Sequence, residues 1–178
     1  MSGRRLALAA CIVLMPIGTM GQTAPKTADP KARAAQEDNI REAILRYEML
    51  GWIAGAHAAK REMKDPSLDF ETFFVSLNHK DPTADFLRRF RDIPRTVKKK
   101  SPSSASAGGL EVYDPQTHKN AIVFTADTIR WLSDDLVEVD GGYDCGGRCG
   151  AVEVFTLQHV NGVFVYWVVK QVKRTSIS

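Results

Sequence analysis

The stretch AVEVFTLQHVNGVFVYWVVKQV, residues 151–172, decides the fold. Two runs of alternating, β-branched and aromatic residues flank Asn161-Gly162. Asn-Gly is the strongest short hairpin signal, because both residues tolerate the positive φ of a type I′ turn. A two-residue loop there sets the pairing. Phe155 then faces Val168, Leu157 faces Tyr166 and His159 faces Phe164 on one side, with Val154 opposite Val169 and Thr156 opposite Trp167 on the other. Both sides of this hairpin are apolar, so it is expected to be covered twice: once by a helix, and once by a second subunit, a partner or the sheet curling on itself.

Upstream of the hairpin the period of two continues. It predicts strands at Leu110–Tyr113, Ala121–Trp131 and Asp135–Gly141, then Ala151–Val160 and Val163–Val172, separated by Asp114-Pro115, Ser133-Asp134 and a glycine-cysteine segment. Lys98–Gly109, KKKSPSSASAGG, has nothing larger than alanine to bury and reads as a surface loop. Phe70–Asn78 reads as a further strand. Asp81-Pro82 offers a cap followed by a first-turn proline, and predicts a short helix over Pro82–Arg91.

A long helix is expected from about Glu37 to Arg61, ended by Asp65-Pro66-Ser67. Its buried face is predicted to hold Ile40, Ala43, Ile44, Tyr47, Gly51 and Ala54, leaving Arg41, Glu42, Arg46 and Glu48 outside it. Gly51 and Gly55 are read as close packing on the sheet or a bend.

The N-terminus has the marks of export. Arg4 and Arg5 precede LALAACIVLMPIGTMG, an apolar run of signal-peptide length that is too short to span a bilayer comfortably. Cleavage is placed near Gly21, so residues 1–21 are a signal peptide, 22–36 a disordered leader and 37–178 one domain. A lipobox reading through Cys11 is the alternative, but it leaves apolar residues after the cysteine. Loss of Arg4 and Arg5 lowers the formal charge from +3 to +1, too little to imply nucleic acid as partner. The mature protein is expected to be periplasmic or extracellular with no transmembrane span.

Cleavage also removes Cys11, leaving Cys145 and Cys149 to pair in an oxidising compartment. They sit in GGYDCGGRCG, residues 141–150. This segment lacks the following helix and the closing Lys-Ser or Lys-Thr of a phosphate loop. A thioredoxin-like site spaces its cysteines by two residues at a helix start, whereas three residues intervene here. Zinc would need two more ligands, and His57, His79, His118 and His159 are scattered. No metal and no cofactor is therefore called for. A disulfide across so short a loop stabilises by about 2 kcal/mol in the chain-entropy model, and fixes the loop more than the fold.

Arg88, Arg89, Arg91, Arg95, Lys98, Lys99 and Lys100 form the one strong charge cluster, a candidate surface for anionic lipid or acidic polysaccharide and otherwise a solvated face. A serine elbow, a helical His-Glu zinc motif and paired carboxylates are not found by spacing. Tyr113, Asp114, His118, Asp127 and Tyr143 could line a pocket, but sequence alone does not bring them together.

The order of long helix, strand, short helix and meander resembles the cone-shaped α+β roll of ketosteroid isomerase and nuclear transport factor 2, with a cystatin-like helix on a sheet as a simpler relative. IRWLSDDLVEVDGGYDCGGRCG, residues 129–150, and GVFVYWVVK, residues 162–170, resemble a group of exported bacterial proteins with no assigned function, over roughly residues 37–175. The resemblance implies an α+β domain with a curved antiparallel sheet of about five to six strands. It carries over no catalytic residue, because the isomerase's tyrosine and aspartate have no recognisable motif here. The expectation is an interaction or small-ligand-binding domain without catalysis, self-associating through its sheet. The alternative is an isomerase- or dehydratase-like enzyme with a pocket between helix and sheet, which requires a buried, perturbed acid or base.

Overall fold

The computed structural model describes residues 30–62, 70–106, 108–109, 111–147, 149–161 and 165–177. The signal segment with Cys11, the leader up to residue 29, Asp65-Pro66-Ser67, Arg148 and residues 162–164 lie outside the described residues. Helix α1, Pro30–Glu62, begins earlier than the apolar pattern predicts. Its buried face is also turned. Ile40, Ile44, Leu45, Met49, Ile53 and Ala56 are buried, and Arg41 and Glu48 are buried with them. Tyr47, Gly51 and Ala54 are exposed instead. The bulkier row prevails because Leu45, Met49 and Ile53 remove more apolar area from water than Gly51 and Ala54 could.

Strand β1, Thr72–Leu77, is buried on both sides. Phe73 and Val75 face α1, whereas Phe74 packs with Val112, Ala121 and Val123 on the opposite side. The helix α2 covers only Ala84–Leu87, followed by a 3₁₀ turn at Arg88–Phe90. Its cap is Thr83 rather than Asp81: the Thr83 Oγ1 accepts from the Phe86 N–H at 3.1 Å. Asp81 instead accepts from the Ser101 N–H at 2.9 Å. Thr83→Ala is accordingly expected to cost about 1 kcal/mol in urea unfolding. An unchanged midpoint would remove the cap from the account.

The segment Lys98–Gly109 is not a plain loop. It holds the end of β2, Thr96–Lys99, and the short β3, Ser104–Ala105. Backbone pairing explains this, since β2 lies parallel along β1 and β3 pairs with β4, Val112–Asp114, so their hydrogen bonds do not depend on large side chains. The remaining strands are β5, Lys119–Trp131; β6, Leu136–Asp144; β7, Gly150–Asn161; and β8, Val165–Ile177. The eight strands make one sheet in the order β2-β1-β5-β6-β7-β8, with β4 joining β5 and β3 joining β4. The expected antiparallel sheet of five to six strands is thus an eight-stranded mixed sheet, because β1 runs parallel to both β2 and β5. From β5 to β8 the pairing is antiparallel.

The β7–β8 register differs from the two-residue-turn expectation. Asn161 pairs with Val165, His159 with Trp167 and Leu157 with Val169. Irregularities at Thr156/Leu157 and Val152/Glu153 then place Phe155 opposite Val172, Thr156 opposite Gln171 and Val154 opposite Lys173. The gain is Trp167, which joins the α1-facing side with Phe155 and Leu157 and meets Trp131 at 5.6 Å between ring centroids. The outer side of this hairpin keeps Val152 55% and Tyr166 53% exposed.

A hollow between the long helix and the sheet

Alternation along β7 points Ala151, Glu153, Phe155 and Leu157 towards α1. Three of these are ordinary core residues. The fourth is a carboxylate, 2% exposed. The irregularity at Val152/Glu153 sets Arg174 of β8 directly opposite it, and the Arg174 Nε donates to the Glu153 Oε1 at 2.8 Å. Bulges of this kind re-aim side chains. Across the gap, Glu48 comes down from α1, buried to 8% exposure, and reaches Glu153 as a hydrogen-bond partner.

Two carboxyl groups this close cannot both be charged without cost. Burial first, then the Glu153 charge and the hydrogen bond to it, push Glu48 from 4.5 up to about 8, with Arg174 opposing. Glu48 therefore carries a proton at neutral pH. The buried Glu153 Oε2 has no hydrogen-bond donor among the described residues. Arg174 already engages Glu153, so the proton resides on Glu48.

Beside this pair is a hollow of about 470 Å³, lined by Tyr47, Glu48, Gly51, Trp52, Gly55, Ala56, Tyr143 and Arg174. Gly51 and Gly55 do not pack on the sheet. A Cβ added at either would meet nothing within 4 Å. They keep one side of the hollow free of side chains. Trp52 stands edge-on to Tyr143, with ring centroids 5.0 Å apart and planes at 79°, and edge-on to Phe70 at 5.5 Å. Burial raises the Tyr143 phenol, with the nearby Arg174 opposing and the two glutamates adding to the rise. The site thus offers a neutral acid, a salt-bridged carboxylate, a phenol and aromatic walls.

Of the residues that sequence offered for a pocket, only Tyr143 is here. Asp114 is a buried anchor for the chain: it accepts from the Thr72 hydroxyl at 3.0 Å, Lys98 Nζ at 2.7 Å and the Gln116 N–H at 3.0 Å. Asp127 accepts from the His79 N–H, while His118 lies in the β4–β5 turn with φ 55°. Tyr113 pairs with Asn120 in the ladder. Cys145 and Cys149 are joined, and Cys145 is buried against the core at the end of β6. Among the described residues no three His, Cys, Asp or Glu side chains stand together as metal ligands would.

The basic cluster is dispersed in pairs. Arg88 meets Asp85, Arg89 meets Glu42 at 2.8 Å, Lys98 meets Asp114 at 2.7 Å and Lys99 meets Asp81 at 3.5 Å. The Arg95 Nε donates to the Phe70 carbonyl, and Arg91 and Lys100 are exposed. A second hollow of about 470 Å³, near Asn39, Glu42, Arg46, His159 and Trp167, has its charges similarly spent: Arg46 holds Glu42 at 2.9 Å and Asp92 at 2.8 Å.

Spacing revealed no paired carboxylates, yet Glu48 and Glu153 are a pair, and sequence reasoning missed both along with Arg174. No family model, curated protein or solved structure matches this chain.

Proposed function

We propose that this chain is an exported small-ligand-binding domain whose ligand occupies the hollow between α1 and the sheet. The observation that carries the reading is convergence: four ionisable groups, Tyr47, Glu48, Tyr143 and Arg174, line a space of about 470 Å³ otherwise walled by Trp52, Gly51, Gly55 and Ala56. Export rests on Arg4-Arg5 with the apolar run after them and on the Cys145–Cys149 disulfide. No helix among the described residues is long and apolar enough to cross a membrane. Self-association through the outer sheet face remains part of the reading, supported by the exposed Val152 and Tyr166.

A second reading has its own observation. The proton held by Glu48 beside the Glu153 carboxylate is the perturbed acid that an isomerase- or dehydratase-like enzyme needs, with Glu48 as proton donor.

Filling the hollow tests both. Gly51 faces open space, so Gly51→Phe is expected to fold with wild-type melting behaviour and to lose the small molecules that ligand-observed NMR finds bound to the wild-type protein. Occupants that persist in Gly51→Phe would end the reading. If a retained occupant is chemically converted, and Glu48→Gln binds it without conversion, the enzyme reading replaces the binder.

A further inference from the structure

We infer that the hollow beside Glu48 selects an organic cation, a substituted ammonium group of the choline type. The inference rests on the reading of this hollow as a ligand site and names what fills it.

Glu48 enters from α1, Arg174 from β8 and the Tyr143 phenol from β6, and the buried Glu153 of β7 stands behind Arg174. Arg174 answers one carboxylate through the Glu153 Oε1 at 2.8 Å. With both acids ionised, the site is short of one positive charge. When no ligand is present a proton on Glu48 makes up that shortfall. A ligand cation can take the proton's electrostatic place, whereas an anion would meet Glu48, with the charge of Glu153 behind it, and a guanidinium already engaged.

The walls suit the same ligand. Aromatic faces attract cations through the ring quadrupole, and quaternary ammonium groups are held in cages of such rings. Trp52 and Tyr143 stand nearly perpendicular at 5.0 Å, and Tyr47 lines the hollow beside them. The Arg174 guanidinium carbon lies 5.9 Å from the Tyr143 ring centroid, so that ring already serves a cation. Gly51 and Gly55 leave the side chain-free gap through which a bulky, methylated head can enter.

The test compares choline with 3,3-dimethyl-1-butanol, which has its shape but carbon in place of the charged nitrogen, by titration calorimetry on the whole protein. Choline is expected to bind at least about tenfold more tightly. At pH ~7 its binding should release close to one proton, read from the different heats in phosphate and Tris, and its binding constant should rise about tenfold per pH unit below pH ~8, then level off. Glu48→Gln, which keeps the side-chain shape, should abolish the proton release and weaken choline by about tenfold or more while leaving the alcohol unchanged. Equal binding of the alcohol, or choline binding without proton release, would overturn the inference. Should neither bind while other occupants are lost in Gly51→Phe, the cation claim falls and the ligand site stands. Should nothing at all occupy the hollow, both fall.

Discussion

Gly142→Ala is expected to unfold the domain, with loss of more than about 4 kcal/mol in urea titration, while Gly51→Ala is expected to raise stability by roughly 0.5–1 kcal/mol. The contrast is geometric. Gly142 sits at φ +138°, and a Cβ built on it would lie 2.0 Å from the Ala151 carbonyl oxygen and 3.0 Å from its carbon, both backbone atoms of β7. Neither can move without opening the β6–β7 ladder, where Gly142 pairs with Val152. Its neighbour Gly141 is also close-fitted: a Cβ built on it would lie 2.5 Å from the Thr125 carbonyl oxygen on β5. Thus β6 is pressed between two strands where it delivers Tyr143 to the hollow. Gly51, by contrast, lies mid-helix in open space, where alanine only removes the glycine's entropic cost. A Gly142→Ala protein with a wild-type midpoint would show that the two strands are not held this tightly.

The contrast also shows what was legible in the sequence. Strand and helix types followed from periodicity: the meander from β5 to β8 lies where period-two alternation put it, and α1 and α2 overlap their predicted spans. Periodicity is a local signal, however, and says nothing of which strands lie side by side. The parallel pairing of β1 with β5 joins Thr72 to Ala121 and could not be read from either segment. The pairing of β7 with β8 also departs from what Asn161-Gly162 alone suggested: Asn161 pairs with Val165, and Trp167 is buried.

The candidate site suffered from a different difficulty. On α1 a charged residue was assumed to lie off the buried face, so Glu48 and Arg41 were placed outside and Gly51 inside, the reverse of what is found. A clue was present in β7, where Glu153 falls on the same alternation as Phe155 and Leu157, a carboxylate on an apolar row. An acid at such a position needs a partner. Arg174, however, lies 21 residues further on and comes opposite only through the irregularity that skips Thr175. Glu48 is on another element altogether. Their meeting is a tertiary fact.

Glu48→Gln is expected to make the protein more stable in mild alkali, and the sign follows from linkage. An ordinary glutamate in the unfolded chain ionises near 4.5, whereas in the folded protein Glu48 holds its proton to about 8. Below the lower value both states are protonated and nothing is lost. Between the two values the unfolded state gains charge that the folded state refuses, so this group's contribution to stability falls as pH rises, and levels off once the folded acid ionises. At about 1.4 kcal/mol per unit, the loss is on the order of 3–5 kcal/mol. Glutamine cannot ionise, and its amide keeps a hydrogen-bond donor beside Glu153. Wild type and variant should therefore melt within a degree or two of one another near pH ~5, and diverge to a gap on the order of 10 °C in the variant's favour near pH ~9. Other groups bend both curves alike, so the difference between them isolates this proton. Parallel curves across that range would mean that Glu48 and Glu153 do not share it, and the charge balance from which an ammonium ligand was inferred would fail with it.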